Sequence, residues 1–448
     1  MTGGTVEMYE MGKQTKRPFI SPQKLFELTE RYSTPFYLYD EANIIKRAQL
    51  LQAAFSWNHG FKEYFAIKAL PNPAIISLLV KLGCGCDCAN GVELILADAC
   101  GARGEAVVLS SNDTFDADFA AAACMGALIN LDSLELVDDC ARVLNDQMPD
   151  EILLRINPGG NFGSSDSAHF IGDPVHSKFG MTEDQAIEAA RRLGHLGVKK
   201  VGVHGLLASN AQGQDYYPAL ARLLFRVAAR IHQQTGLEIG HIDLSGGVGI
   251  AYNPCDIPPD ITAIGQGVQE AFEEILVPAG LGSVRLMCEL GRWLTGPCGA
   301  LITRIIHEKK TYRDYLGVDA CAADLIRPAM YGAYHHITVM GQPGREELWD
   351  TSATKSYSVV GGLCENSDQF AADRMLPAAN VGDLLFVHDA GAHGHAMGYN
   401  YNGRLRSKEL LLHADGTTEL IRRAETAKDY FATLDQTSWW PRLKSRLP

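Results

Sequence analysis

The chain has 448 residues, 46% of them hydrophobic, and a formal net charge of -13. That apolar fraction suits a globular core rather than a disordered chain, and the dispersed acidic balance argues against a nucleic-acid partner, which needs a clustered basic surface. The opening MTGGTVEMYEMGKQTKR lacks the apolar stretch of a signal peptide, no uncharged run reaches the length of a membrane span, and eleven scattered cysteines read as free thiols, so a cytoplasmic protein is expected.

The first strand signal in chain order is TPFYLYD, from Thr34. Short β-rich apolar runs follow: YFAIKA from Tyr64, GCDCA from Gly85, AVVLSS from Ala106 and ALINL from Ala127. Four more are ILLRIN from Ile152, VGVHGLLAS from Val201, HIDLSGG from His241 and VRLMCEL from Val284. Amphipathic segments such as NPAIISLLVKLG and DQAIEAARRLGHLG separate them. Near-continuous apolar strands alternating with helices imply a parallel sheet covered on both faces. Eight such units over about 230 residues fit an α/β (β/α)8 TIM-like barrel, with a doubly wound open sheet as the alternative. Cys84, Cys86 and Cys88 alternate along one run without the spacing of zinc ligand pairs, and read as small residues of a buried strand. The stretch from Pro158 to Lys178 reads as an inserted active-site loop.

The rhythm changes near Gly296. ALITRIIHEKK, SYSVVGGL and DLLFVHDAG read as strands without helices between them, and ELLLHADGTTELIRR as a hairpin turning at Asp415-Gly416. The expected organisation is an N-terminal segment, 1–40, joining a mostly β domain at 296–448, with the barrel at 41–295.

In such a barrel the chemistry sits at the C-terminal ends of the strands. The first run ends near Lys68, which is either a Schiff-base lysine or a lysine snorkelling from a strand end. The seventh ends in SGGVG, Ser245 to Gly249, where glycines let backbone N–H groups approach a phosphate. The eighth runs into CELGR, so Glu289 could pair with the protonated ring nitrogen of pyridoxal phosphate, or with an ordinary surface cation. In the β domain, LCENSD places Cys364 beside an acid, either as a proton donor or as a plain buried thiol. Arg327 and Tyr331 in IRPAMYGAYH suit a carboxylate. His388, His393 and His395 lack an HExxH pattern, and no metal is expected.

Seven segments, YFAIKALPNP, SGGVG, ELGR, RPAMYGAYHH, CENSD, DAGAHG and YNYNGR, occur in this order from about Pro35 to Phe431. Together they resemble the fold-type III pyridoxal-phosphate decarboxylases, and most closely the diaminopimelate decarboxylases. The resemblance implies a (β/α)8 barrel plus a β domain, in a homodimer whose active site is shared between subunits. It implies that Lys68 holds pyridoxal 5'-phosphate, that Gly246, Gly247 and the Glu289 to Gly291 backbone hold its phosphate region, and that Glu289 pairs with the ring nitrogen. It implies that Asp87 supports the Lys68 end and that Ser209 contacts the phosphate. Arg292, Arg327 and Tyr331 would grip the distal end of an amino acid substrate, although Arg292 could serve the phosphate instead. Cys364 of the partner subunit would return a proton to the substrate carbon, Glu365 would bind the distal ammonium, and Tyr401 would lie on cofactor and substrate.

This chain departs from the pattern of that family. Leu206 falls where a histidine usually stacks on the cofactor ring, with His204 two residues too early. Ser245 replaces the first of three glycines, ELGR replaces EPGR, and His393 takes the place of an aromatic residue. The activity implied is decarboxylation of a diamino acid at a D-configured carbon, with meso-diaminopimelate leading. D-ornithine or D-lysine is the close alternative, and an alanine-racemase-like isomerase the more distant one.

Overall fold

The computed structural model describes residues 16–159, 174–345, 348 and 351–447. Residues 160–173, most of the inserted loop expected between Pro158 and Lys178, lie outside the described residues. The chain forms two compact units. One takes Met1–Ile44, Tyr252–Asp256 and Thr295–Pro448, the other Ile45–Ala251 and Ile257–Leu294.

Strand β1 (Phe36–Asp40) belongs to the first unit. The second holds β2 (Lys62–Ala66), β3 (Gly85–Cys88), β4 (Val107–Ser111) and β5 (Leu128–Leu131). It continues with β6 (Glu151–Arg155), β7 (Lys200–His204), β8 (Glu238–Asp243) and β9 (Arg285–Cys288). Each pairs in parallel with the next, and β9 pairs back onto β2 through Lys62↔Met287 and Glu63↔Cys288. That last pairing closes the barrel and excludes the open sheet. Every strand lies within or beside one of the eight apolar runs. β3, β5 and β6 are buried at every position, as parallel strands covered on both faces must be.

The barrel filling follows from the two-residue period of a strand. Tyr64, Val108, Leu128, Leu153 and Met287 form one buried apolar cluster. Two residues further along the same strands stand Ala66, Ser110, Asn130, Arg155 and Glu289. The apolar layer therefore floors a polar one, and the Asn130 amide donates to Ser110 Oγ at 2.8 Å across adjacent strands. Around the barrel, capping sets where the helices begin. Asn72 Oδ1 accepts from Ala74 N at 3.0 Å, with Pro73 as first helical residue, to open Pro73–Lys81. Thr182 and Gln185 form a capping box for Glu183–His195, a device worth about 1 kcal/mol.

The run YFAIKA is not strand to its end. β2 stops at Ala66, and Ile67–Ala69 is a 3-10 turn closed by Leu70 N donating to Ile67 O at 3.1 Å. Pro71 and Pro73 follow and cannot extend a ladder. Lys68 is therefore carried on a tight turn just past the strand.

The first unit is a nine-stranded sheet. Its later strands are β10 (Gly299–Lys310), β11 (Asp314–Val318), β12 (Ile337–Met340) and β13 (Lys355–Val360). The remainder are β14 (Gln369–Leu376), β15 (Leu384–Val387), β16 (Lys408–Leu412) and β17 (Thr418–Arg422). β1 lies between β10, antiparallel, and β16, parallel. β16 and β17 form the hairpin expected at Asp415-Gly416, with Gly416 at φ 83°. Phe36, Leu38, Ala300, Ile302, Met340, Leu384, Phe386 and Leu410 share a core with Leu25 and Leu28 of the helix Pro22–Arg31. β11, β12 and β14 escape the sequence reading because they are short or, like β14, alternate irregularly between buried and exposed. Among the described residues no helix is long and apolar enough to cross a membrane.

Leu153 is fully buried in the barrel's apolar layer. Leu153→Ala should cost about 2–5 kcal/mol, read as a lower midpoint of urea unfolding for the transition that reports the barrel.

Candidate active site

The C-terminal ends of the barrel strands bring together the polar groups of the second unit. Lys68 Nζ lies 3.0 Å from Asp87 Oδ2, at the end of β3. The lysine is half exposed and Asp87 is buried. Asp87 first, then Glu289, raises the Lys68 ammonium above its ordinary value against the effect of burial. Burial and the Glu289 charge push Asp87 up to about 7, with Lys68 opposing them. Without a carbonyl partner Lys68 is thus a paired cation, whereas the Schiff-base reading requires its amine to become neutral. Asp87 is the adjacent group that can accept that proton.

Glu289 follows β9 and is 4% exposed. Its Oε2 accepts from Ser245 Oγ at 2.6 Å and lies 3.3 Å from His204 Nε2. Its Oε1 is buried, without a hydrogen-bond partner among the described residues. Burial alone would raise the Glu289 carboxyl, but His204, Lys68 and Ser245 outweigh it and hold the group below the usual carboxylate range. Asp243, at the end of β8, moves the other way. Burial first, then the Glu289 charge, push it well above that range, so this acid holds the proton of the pair. Ligand atoms of His204, Asp243 and Glu289 all lie within 4.8 Å of one another. Burial lowers the His204 imidazole, which favours its neutral form.

Backbone hydrogen bonds lock these ends together. Ser245 O accepts from Glu289 N at 2.8 Å and from Tyr217 Oη at 2.5 Å. Glu63 Oε1 accepts from Leu290 N at 2.7 Å, and Cys288 Sγ donates to Glu63 Oε2 at 2.9 Å. Leu290, standing where a proline would offer no N–H, is satisfied by this buried acid. Ala211 N donates to Gly247 O at 2.8 Å and Gly249 N to Ala211 O at 2.8 Å, zipping the loop after β7 to the loop after β8. Tyr216 Oη accepts from Leu207 N and Ala208 N, which fixes the segment carrying half-buried Leu206 and Ser209. Arg292 Nη2 donates to Ser209 Oγ at 3.4 Å.

The glycines here have steric reasons. A Cβ on Gly246 would meet Glu289 O at 2.8 Å, and one on Gly291 would meet the Ala69 side chain at 2.5 Å. Gly247 adopts φ 111°, and a Cβ there would meet Ala208 O at 2.8 Å. Packing this close leaves a cradle of backbone and small side chains, suited to a phosphate. A lysine amine, a buried carboxylate oxygen without a partner among the described residues, and a glycine cradle with an arginine and a serine fit pyridoxal phosphate in donor type.

The first unit carries its own groups. The Arg327 guanidinium is buried, 4.6 Å over the Tyr252 ring, and Nη1 lies 3.0 Å from His335 Nε2. Tyr331 ends the same short helix and is exposed. Cys364, read as either a proton donor or a buried thiol, is exposed. Its Sγ lies 3.4 Å from Tyr401 Oη, which also donates to Glu365 Oε1 at 3.0 Å. Hydrogen bonds from Tyr401 and Asn402 lower the Cys364 thiol below its ordinary value, and hydrogen bonds to Cys364 and Glu365 push Tyr401 up to about 12. His388 bonds Thr338 at 2.8 Å, and His395 Nε2 lies 3.1 Å from Ser407 O, so both rings have separate partners within the fold. Cys84, Cys86 and Cys88 are buried, and burial raises all three thiols, Cys86 to about 12.

Sequence reasoning noted His204 without giving it a role, and passed over Asp243, Glu63 and Tyr217. The signal for two of them was strand alternation: His204 lies two residues after Gly202, where a Cβ would meet Leu153 at 3.0 Å, and Asp243 two after His241.

The pyridoxal binding domain of pyridoxal-dependent decarboxylases matches residues 41–296. Protein TabA of Pseudomonas amygdali pv. tabaci is 38% identical over 417 residues, spanning 93% of this chain and 94% of that protein. A diaminopimelate decarboxylase of Methanothermobacter thermautotrophicus is 34% identical over 404 residues, spanning 90% and 92%. The crystal structure of Helicobacter pylori diaminopimelate decarboxylase complexed with L-lysine superposes with a TM-score of 0.81 at 26% identity, covering 92% of this chain and 99% of that one.

Two measurements probe this geometry. A folded Asp243 with a raised pKa binds its proton more tightly than the unfolded chain does. The stability this contributes is present on the acid side and is lost as pH rises through the folded value. Asp243→Asn, which removes the titration, should flatten the fall of melting temperature that sets in as pH rises above the ordinary carboxylate range, relative to the parent. Separately, an alkylating reagent at neutral pH should label Cys364 ahead of exposed Cys124 and Cys255, and Tyr401→Phe should slow that labelling.

Proposed function

Because this chain belongs to the pyridoxal-dependent decarboxylases, and so is an enzyme that uses pyridoxal phosphate to decarboxylate an amino acid, we propose that its substrate is meso-diaminopimelate. The bond broken is that to the carboxylate on the D-configured carbon, and the products are L-lysine and carbon dioxide. The observation that carries this choice is Arg327, a buried guanidinium placed over the Tyr252 ring and against His335. Orienting the fork in advance suits a planar carboxylate at the far end of the substrate, which ornithine and lysine lack. Relatives named diaminopimelate decarboxylase, matched over nine-tenths of the chain, support it.

When bound, pyridoxal phosphate supplies the electron sink that lets the Cα–carboxylate bond break. The chain's own groups do the rest. Lys68 would hold the cofactor, while Asp87 orients Nζ and takes or returns its proton. Gly246, Gly247 and the Glu289 to Gly291 backbone, with Ser209 and Arg292, bind the phosphate. Glu289, kept ionised, retains a proton at the ring nitrogen, and Leu206 offers an apolar neighbour where a stacking imidazole is usual. Arg327 with Tyr331 takes the distal carboxylate. Cys364 of the partner subunit, its thiol tuned by Tyr401, returns a proton to Cα, and Glu365 of the partner subunit takes the distal ammonium, in a cytoplasmic homodimer.

Carbon dioxide release from the loaded enzyme with meso-diaminopimelate, D-ornithine, D-lysine and the L-isomers tests this reading. Preference for meso-diaminopimelate, with Arg327→Met raising KM more than it lowers kcat, is the expected result. Preference for D-ornithine or D-lysine would overturn the substrate and remove the carboxylate role of Arg327.

A further inference from the structure

Ser245 is a residue in the wrong conformation for its type. It is fully buried and sits at φ 52°, in the left-handed region that a side chain with a Cβ adopts only under strain. Glycine would relieve that strain, and the next two residues are glycines. A buried serine held here against its backbone preference points to work done by the hydroxyl.

Among the described residues that hydroxyl bonds Glu289 Oε2, at 2.6 Å. The other groups of Ser245 are bound as tightly. Its N–H donates to Asp243 Oδ1 at 2.7 Å, and its carbonyl accepts from Glu289 N and Tyr217 Oη. Serine and glutamate are thus joined twice, backbone to backbone and side chain to side chain. The last torsion of a glutamate is broad and nearly two-fold, so an unclamped carboxylate swivels. Here Ser245 Oγ and His204 Nε2 both lie on the same oxygen, Oε2. Oε1 is left buried and without a hydrogen-bond partner among the described residues.

We infer that Ser245 is a positioning residue that clamps Glu289 Oε2, so that Oε1 alone is presented to the protonated ring nitrogen of bound pyridoxal phosphate. This rests on the proposed role of Glu289 as the partner of that nitrogen. The clamp removes the rotational freedom that the carboxylate would otherwise lose on binding. It also adds an O–H donor that stabilises the ionised form in a site where burial works against charge. His204, at the end of β7, supports the same oxygen, and Asp243 accepts from the Ser245 N–H and so helps fix the turn.

The test compares Ser245→Gly, Ser245→Ala and Glu289→Gln with the parent, each loaded with pyridoxal phosphate labelled with 15N in the ring. The 15N shift reports whether the ring nitrogen is protonated, independently of turnover. Ser245→Gly suits the positive φ and so guards against a merely misfolded variant, with melting of the cofactor-free protein as the check. The expected result is that both serine variants fold, that the ring nitrogen titrates at lower pH than in the parent, and that kcat falls roughly ten- to a hundredfold while KM changes little. Glu289→Gln should lose ring protonation throughout. If Glu289→Gln loses it but folded Ser245→Gly and Ser245→Ala keep the parent's shift and kcat, the clamp is overturned and the role of Glu289 survives. If Glu289→Gln keeps the protonated ring, the role of Glu289 fails and the clamp falls with it.

Discussion

A carboxylate cannot be taken out of water and kept ionised unless donors and positive charge surround it. Glu289 is such a group, and much of the barrel mouth is arranged around that requirement. Beneath it lies the apolar layer of Tyr64, Leu153 and Met287, which lowers the local dielectric and sharpens every interaction above. The charge is held by a hydroxyl and an imidazole on one oxygen and by the lysine across the mouth. The neighbouring Asp243 keeps its proton instead of adding a second charge. Two carboxyls in one environment thus take opposite states, because Glu289 is met by a hydroxyl, an imidazole and the Lys68 charge while Asp243 is met by a backbone N–H.

The same logic sets the state of Lys68. In water it would need no partner, but beside a buried Asp87 it is held as a cation. Covalent catalysis through an amine requires that this cation give up a proton, and the group best placed to take it is the one that stabilises it. Burial and the Glu289 charge bring Asp87 up to about 7, which makes it a better base than an ordinary carboxylate, while Lys68 remains the stronger base of the two. The 3-10 turn that carries Lys68, and the Asn72 cap behind it, make the amine's position a property of backbone rather than of a flexible loop.

The barrel was legible in the sequence because its strands are buried on both faces and therefore read as unbroken apolar runs. The resemblance pointed to Lys68, Asp87, Ser209, Glu289 and Arg292, and the structure does bring these to one end of the barrel. The interior acids and His204 were harder to read. Nothing in a strand's composition says which of its two faces meets the barrel axis, and a polar residue at a strand end is as easily a rim residue. Glu63 was invisible for a different reason: its partner is the N–H of Leu290, more than two hundred residues away, and no local pattern reports such a bond. In the β unit, β11, β12 and β14 lack clean alternation, so only part of that sheet was readable.

Strand β1 has a history that its final place conceals. It leaves the ribosome long before its two neighbours, β10 and β16, which begin at Gly299 and Lys408. At roughly 5–20 residues per second the ladder with β16 waits on the order of twenty to seventy seconds after β1 emerges. During that interval Phe36, Tyr37, Leu38 and Tyr39, all fully buried at the end, are an unpaired apolar strand open to any other chain in the same condition. A nascent chain of this design depends on being shielded until β16 is made.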